Sequence, residues 1–342
     1  MKELYIIIAS DVDPDRDSFL PRQDSKSLAW RGMLEGIPLG KEKTQKLVDS
    51  AGKPPVFTWC LRVDHQISTL CGAYEYVLTK HKPFLLDLER SGDELAWHPH
   101  FWRYDDALGK WYQEQADRAF QTRMLEEAFA AYVRALPGRG KTVRMGWSYH
   151  NNETFSTLEQ LGVEVECSAI PGLRILSKNS DVHKDGFYDW NGTPDHPYFP
   201  SRLDYRRPAQ DTEEATRLLE VPCFMTHSLF WGLLAGAVLS RKMKTLSPLT
   251  AAIRRPSYFV NITGQPSLFR PILASLNARL RRQDRTIFVT YFHADELVEH
   301  SQPVYKLEHM LLNLRNILES ADRQNVTAKF VRAIDLKTIL KA

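Results

Sequence analysis

Two aspartates near the N-terminus and two histidines much later in the chain have the clearest potential for chemistry. Asp11 and Asp13 occur in SDVDPD, directly after the apolar run LYIIIA, and His98 and His100 flank a proline in DELAWHPHFW. In extended backbone, alternate side chains point the same way, so each pair faces one side. Imidazole and carboxylate donors suit Zn²⁺ or another first-row divalent ion. If the two segments meet, we expect a metal site with a second carboxylate that can take a proton.

Each pair also has a simpler interpretation. Asp-Pro sequences are common in solvated turns, and a lone histidine pair is more often structural or exposed than ligating. A glycoside hydrolase that uses Asp11 and Asp13 as its two carboxylates is a further alternative. It requires carboxyl groups roughly 5 to 9 Å apart across a sugar cleft. Two residues apart on one strand face, they are expected to be too closely coupled for that reaction.

The elements that position these residues follow from recurring β-type runs, most of them separated by segments with helical periodicity. The runs cover residues 4–9, 56–61, 94–98, 142–147, 163–167, 220–226, 257–262 and 286–292. This alternation predicts an α/β fold, a distorted (β/α) barrel of seven or eight mostly parallel strands. Such barrels build their active sites where strands pass into the following loops, which is where Asp11 and Asp13 occur.

Other segments predict the scaffold. Helical periodicity favours helices over 111–136 and 305–321, and the run LFWGLLAGAVL at 229–239 is too short to span a bilayer, so we expect a buried helix there. Residues 178–209 are rich in proline, aspartate and aromatic residues and predict an irregular insertion whose Trp190 could stack on a sugar. The whole chain, 1–342, is predicted to be one domain with a helical C-terminal region over about 303–342.

Composition excludes some classes of protein. The 45 Lys and Arg residues are nearly balanced by 42 Asp and Glu, and a net charge of +3 is too mild to indicate nucleic-acid binding. The N-terminus lacks a secretory h-region and no run is long enough to span a membrane, so we expect a cytoplasmic protein. The four cysteines form no C-x-x-C pair and are expected to be reduced core thiols.

The motifs resemble the opening of the polysaccharide deacetylase superfamily, which includes carbohydrate esterase family 4. The resemblance lies in ASDVDPD, PPVFTWCLRVDH and SGDELAWHPHFW. It implies that Asp11 is the catalytic base, Asp13 the carboxylate ligand of the metal and His98 its first histidine ligand. Trp102 stands where the family has its second metal histidine. Either His100 replaces that ligand, or the site lacks one.

Two downstream segments extend the resemblance. TVRMGWSYHNNETF is similar to the family's arginine-containing strand, which implies that Arg144 orients the base and that the Trp147 backbone N–H stabilises the oxyanion. RTIFVTYFHADEL is similar to the last motif, in which a strand ends in a histidine, and implies that His293 is the general acid. The predicted substrate-binding residues are Trp147, Tyr149, His150 and Trp190.

The implied function is a metal-dependent hydrolase that removes an acetyl group, in the first place an N-acetyl group, from a carbohydrate or sugar-containing precursor in surface polysaccharide biosynthesis. The implied cofactor is a divalent metal, with Zn²⁺ as the first choice, and the implied partner is an acetylated sugar or oligosaccharide. A second hypothesis is a catalytically inactive barrel that binds a glycan or sugar nucleotide. Because Trp102 replaces a ligand, the orientation of His100 discriminates between the two.

Overall fold

The apolar run at the N-terminus forms the longest strand of a parallel sheet in a computed structural model, which describes residues 2–16, 28–175, 188–212, 214–299 and 304–341. The strands are β1 (Glu3–Val12), β2 (Thr58–Arg62), β3 (Glu94–His98), β4 (Trp102–Asp105), β5 (Lys110–Gln113), β6 (Thr142–Val143), β7 (Val165–Glu166), β8 (Arg174–Ile175), β9 (Tyr188–Asp189), β10 (Leu219–Glu220), β11 (Arg285–His293) and β12 (Thr327–Phe330).

Helices cover the sheet and account for most of the remaining regular structure. They are α1 (Ile37–Thr44), α2 (His65–Cys71), α3 (Tyr76–Lys80), α4 (Lys82–Arg90), α5 (Arg118–Ala135), α6 (Asn152–Gln160), α7 (Leu229–Met243), α8 (Ser247–Arg254), α9 (Pro266–Arg282), α10 (Leu307–Asp322) and α11 (Leu336–Ile339). None of the helices in the described residues combines the length and the apolar composition that crossing a bilayer requires.

Eight parallel strands form the sheet, in the order β10-β7-β6-β3-β2-β1-β11, with β12 pairing with the first half of β1. The side chains of β1 are buried on both faces, which explains why its sequence is continuously apolar rather than alternating. The two ends of the sheet approach each other, because the Phe224 N–H after β10 donates to the Val289 carbonyl in β11 at 2.8 Å. The predicted distorted α/β barrel is confirmed.

Several predicted boundaries were wrong. The expected helix over 111–136 begins only at α5, where the Asp117 carboxylate accepts the Phe120 N–H at 2.9 Å, and the antiparallel β4–β5 hairpin occupies the preceding residues. The run at 257–262 contributes an isolated bridge through Tyr258 instead of a sheet strand. The C-terminal region is not purely helical, since β12 adds a strand to the sheet.

The prediction of a buried helix at 229–239 was also wrong. The buried positions of α7 are its small residues Gly232, Gly236 and Ser240, whereas large apolar side chains such as Leu234 and Val238 are exposed. The small face packs against α8, where a Cβ atom on Gly236 would lie 3.0 Å from the Ala252 Cβ atom. An apolar run predicts burial only if the rest of the chain covers it.

One cluster of buried apolar side chains extends from Leu4 in β1 to Phe330 in β12. A continuous core is what a single domain would have. That residues 1–342 form one domain stays a prediction. All four cysteines are unpaired and three of them are buried, as expected for core thiols. Part of the predicted insertion, 178–187, lies outside the described residues; the remainder contains β9 and a series of turns.

Candidate metal centre

The predicted metal ligands Asp13, His98 and His100 meet at the carboxyl ends of β1 and β3. The His98 Nε2 atom lies 3.0 Å from the His100 Nε2 atom, and the Asp13 Oδ1 atom lies 3.6 Å from the former and 3.5 Å from the latter. All three residues are buried. Ligands on one face of a tetrahedral zinc site with bonds of about 2.0–2.1 Å lie about 3.3 Å apart. The donor triangle fits an ion of that size.

Both imidazoles are held so that a nitrogen faces this triangle. His98 donates its Nδ1–H to the Arg144 carbonyl at 2.6 Å, which leaves the lone pair on Nε2 and orients the ring. Burial and the nearby Arg62 charge lower the pKa of His100 to about 4, so its imidazole is neutral at neutral pH. A neutral ring is what metal coordination requires.

The His100 ring is positioned mainly by packing. A Cβ atom on Gly146 would lie 2.1 Å from the His100 Cγ atom, so the backbone at Gly146 sits directly against the ring. The Trp102 ring lies nearly parallel to it, at 11° with centroids 6.1 Å apart. Among the described residues, the His100 Nδ1 atom has no hydrogen-bond partner. Trp102 therefore packs beside the histidine that faces the site.

A buried arginine fixes the Asp13 carboxylate. The Arg62 Nη1 group donates to Asp13 Oδ1 at 2.8 Å, and the same guanidinium contacts Asp64 and donates to Gln66 Oε1 at 2.8 Å. Burial by itself raises the pKa of Asp13, but His98 and Arg62 outweigh it and hold this pKa well below its usual range. The sequence analysis missed Arg62, although its position at the end of β2 beside the site was the available signal.

Asp11 has a separate cationic partner. The Arg144 Nε atom forms an ion pair with Asp11 Oδ1 at 2.8 Å, and the guanidinium carbon lies 3.8 Å from the centre of the Tyr291 ring. Burial alone raises the pKa of Asp11, but Arg144 and then His98 and His293 lower it below its usual value. The carboxylate is therefore ionised and oriented at neutral pH.

His293 lies directly across from Asp11, because β11 and β1 pair in register at these two residues. Its Nε2 atom is 3.7 Å from Asp11 Oδ2, and its Nδ1 atom is 3.3 Å from Glu296 Oε1. Glu296 also accepts from the Thr263 hydroxyl at 2.5 Å and from Arg16 at 3.0 Å. This buried carboxylate orients the His293 ring; the sequence analysis missed it, although HADE places it three residues after the histidine.

The polar contacts of Glu296 also determine its protonation state. Burial raises its pKa, but His293 and Arg16, together with the hydrogen bond from Thr263, lower the pKa to about 2. The carboxylate is therefore charged at every pH at which the protein is expected to work. A permanently charged acceptor keeps the His293 ring in one orientation.

A strained turn borders the site. Trp147 and Ser148 have φ angles of 57° and 50°, in the left-handed region that non-glycine residues avoid. Such strain costs of order 1–3 kcal/mol per residue and is concentrated at functional sites. Trp190 is fully buried and donates its indole N–H to the Ser148 carbonyl at 2.8 Å, so it supports this turn.

Three of the predicted substrate-binding residues lie behind the pocket wall. The Tyr149 hydroxyl accepts from Arg118 at 3.1 Å, and the buried His150 Nε2 atom lies 3.2 Å from Glu166 Oε1. With Trp190, they are absent from the residues that line the cavity, whereas Trp147 lines it. Substrate contact by Tyr149, His150 and Trp190 stays a prediction, and the structure places these three residues outside the lining of this cavity.

The site opens into a cavity of about 430 Å³. Asp11, Asp13, His98, His100 and His293 lie at its polar end. The remainder of the lining is largely apolar, including Trp102, Leu173, Tyr188, Trp231 and Leu239. A few convergent polar groups at one end of an apolar cavity are typical of a small-molecule site.

Comparison with solved structures finds the same architecture. A candidate glycoside hydrolase/deacetylase of Parabacteroides distasonis is 11% identical, with 99% of this chain and 71% of that chain covered and a TM-score of 0.56. A candidate polysaccharide deacetylase of Mycobacterium smegmatis is 14% identical, with 99% and 91% covered and a TM-score of 0.52. No protein-family profile and no curated protein matches the sequence. The chain therefore shares the fold of these two proteins.

Proposed function

We propose that this protein is a metal-dependent hydrolase that removes an acetyl group from the amino group of a sugar. The observation that carries the proposal is that Asp11 and Asp13 lie on either side of the His98 ring with different partners. Asp13 lies with His98 and His100 in a donor triangle, whereas Asp11 pairs with Arg144 and faces His293. One carboxylate is thus available as a ligand and the other as a base.

A divalent metal, with Zn²⁺ as the first choice, would be held by Asp13, His98 and His100 and would polarise the acetyl carbonyl and acidify water. Asp11 takes the proton of the attacking water, because its lowered pKa keeps it ionised and Arg144 keeps it oriented. The backbone N–H of Trp147 is the proposed second donor to the developing oxyanion.

His293 is the proposed general acid. Its Nε2 atom is 3.7 Å from Asp11 Oδ2, and both residues line the same cavity, so the proposed acid and base act from one end of it. Glu296 holds the opposite ring nitrogen at 3.3 Å, which directs Nε2 toward the cavity. As the C–N bond breaks, the leaving amine takes its proton from this nitrogen, and the attacking water has supplied the second oxygen of the released acetate.

Two alternatives fit the site less well. A glycosidase needs a carboxylic acid that stays protonated near neutral pH, whereas the pKa values of both Asp11 and Asp13 are lowered. An inactive binding barrel would leave His100 turned away, whereas its Nε2 atom lies 3.0 Å from that of His98. The role in surface polysaccharide biosynthesis and the cytoplasmic location stay predictions.

Acetate release from N-acetylated amino sugars tests the proposal. We expect activity that a chelator removes and Zn²⁺ restores, and that Asp11→Asn abolishes. Asp87→Asn is the matched control, because Asp87 is exposed on α4 and pairs only with the neighbouring Arg90 among the described residues. Chelator-resistant release of acetate, or an Asp11→Asn variant as active as the control, would contradict the proposal.

A further inference from the structure

The α7–α8 hairpin presents an unusual apolar surface. Phe230 is 68% exposed, Leu246 is 64% exposed and Ile253 is 62% exposed, and Leu234 and Val238 on α7 are also exposed. Scattered exposed apolar residues are ordinary, but this many large ones on a single helical hairpin indicate a binding surface. We call this set, with Leu229, the apolar face.

The packing inside this hairpin explains why its large side chains point outward. The buried residues of α7 recur every fourth position, at Gly232, Gly236 and Ser240, on a single stripe. A Cβ atom on Gly232 would lie 3.1 Å from the Pro256 Cα atom. Close approach through small residues, with large apolar side chains outside, is typical of helices that pack in lipid. In water this arrangement leaves the apolar face uncovered.

The charged side chains within the α7–α8 hairpin itself are all cationic. Arg241 and Lys242 lie in the last turn of α7 and Lys244 follows it, whereas Arg254 ends α8 and Arg255 follows it. No aspartate or glutamate occurs between Glu220 and Asp284, although the chain as a whole is nearly balanced. Apolar side chains beside clustered lysine and arginine are the combination that binds anionic lipid surfaces.

The apolar face continues into the cavity of the metal centre. Trp231, Leu234, Ala235 and Val238 line the same cavity as His98, and two of them, Leu234 and Val238, are also exposed at the surface. The hydroxyl groups of a polysaccharide would need polar partners that the side chains of Leu234, Ala235 and Val238 do not offer. An alkyl chain needs none.

We propose that the α7–α8 hairpin docks on the surface of an anionic lipid bilayer and that the cavity beside α7 receives the apolar chain of a lipid-linked acetylated sugar. The hairpin lies in the plane of the surface, with the apolar face among the lipid chains and the flanking cations at the phosphates. The proposal that the ligand carries an acetylated sugar rests on the proposed deacetylase function, whereas the proposal of docking on a bilayer does not. A second copy of this chain is a poorer occupant, because a symmetric contact places the same cations against each other.

Vesicle sedimentation tests the docking. We expect the protein to bind vesicles of phosphatidylcholine mixed with phosphatidylglycerol, to bind pure phosphatidylcholine weakly and to be released by salt. The double variant Phe230→Glu, Leu234→Glu should bind at least about tenfold less. Leu203→Glu is the matched control, because Leu203 is 78% exposed and lies outside the hairpin. Circular dichroism and thermal melting verify that the variants fold.

Either of two results would overturn the docking. One is the absence of sedimentation with anionic vesicles at low salt, or equal binding by the double variant and the control. The other is concentration-dependent self-association that the double variant removes without any vesicle binding, which would assign the apolar face to a second copy. Neither readout depends on catalysis, so a failed deacetylase assay leaves the docking test intact.

Calorimetric binding of two glycosides of N-acetylglucosamine tests the cavity. The dodecyl glycoside should bind at least about tenfold tighter than the methyl glycoside. Ala235→Trp should remove this difference because Ala235 lines the cavity, whereas Ala237→Trp should keep it because Ala237 is exposed and lies outside the lining. Equal affinity of the two glycosides for the unmodified protein, or an equal effect of the two tryptophans, would overturn the assignment of the cavity.

Discussion

The Arg144 Nε atom lies 2.8 Å from the Oδ1 atom of Asp11, and both side chains are buried. The backbone carbonyl of the same arginine accepts the Nδ1–H of His98 at 2.6 Å. One residue thus orients the proposed base through its side chain and a proposed metal ligand through its main chain. Substitutions that change only the side chain can separate these two roles.

Arg144→Lys should lower the rate constant for deacetylation by about 10²-fold or more, since it loses the oriented partner of the base. Arg144 lowers the pKa of Asp11, so a weaker contact raises that pKa and moves the acidic limb of the pH–rate profile to higher pH. Metal content should persist because the carbonyl remains. Arg139→Lys, at a surface ion pair with Glu89, is the control, and an unshifted acidic limb would argue against the pairing.

His100→Ala should remove the bound metal as completely as His98→Ala. Loss of residues that merely support a ligand weakens metal affinity about 10–100-fold, so loss of a ligand should cost about 100-fold or more. Metal analysis after dialysis measures the effect independently of activity. His81→Ala changes a half-buried histidine outside the cavity and should retain the metal. Retention by His100→Ala would mean that Asp13 and His98 suffice.

Gly146→Ala should weaken metal binding without changing any ligand. The added Cβ atom would lie 2.1 Å from the His100 Cγ atom, so the ring must move out of the donor triangle. We expect at least about tenfold lower affinity in a chelator competition assay. Gly52→Ala strains the backbone because Gly52 has a φ angle of 76°, but its Cβ atom would meet nothing within 4 Å. It controls for a loss of stability away from the site and should leave the metal affinity unchanged. Equal affinities would show that the His100 ring is not held against Gly146.

His293→Asn should discriminate between leaving groups. Deacetylation of an N-acetyl sugar should slow by about 10²–10⁴-fold, because the departing amine needs a proton. Hydrolysis of an aryl acetate should slow much less, because a phenolate leaves without one. His196→Asn alters a side chain that is 70% exposed and should affect neither substrate. Equal losses on both substrates would assign His293 to binding or to structure.

Glu296 should stabilise the fold in a pH-dependent way. Its pKa is about 2 in the folded protein and 4.5 as the ordinary value. Because the folded pKa is depressed, the stabilisation is fully present above about pH 4.5 and is lost as the pH falls toward 2. The free energy of unfolding should fall by on the order of 3 kcal/mol over this range. Glu296→Gln should flatten the free energy of unfolding over this window.

Urea unfolding at a series of pH values measures that slope. Glu35→Gln is the control, because Glu35 is largely exposed in an ion pair with Arg31. A slope between pH 4.5 and 2 that is the same in Glu296→Gln and in the control would show that Glu296 does not carry this dependence.

Local patterns in the sequence determined much of the site. The short apolar run LYIIIA predicted a strand buried on both faces, so the residues that follow β1 were expected at a sheet edge. The spacing of Asp11 with Asp13 and of His98 with His100 then determined which side chains share a direction. The parallel β/α alternation followed from the same periodicities, and the structure confirmed it.

Tertiary structure decided the partners of those side chains and the side of each helix that is covered. Arg62 reaches Asp13, and Glu296 reaches His293, only because separate strands end at one point of the barrel. Trp190 is aromatic in a polar segment, yet it is buried behind the Ser148 turn, and α7 is apolar but covered only along its small residues. The periodicity of a segment predicts whether it is a helix or a strand and which side chains share a face. Burial and ion pairing depend on what the rest of the chain places against that segment.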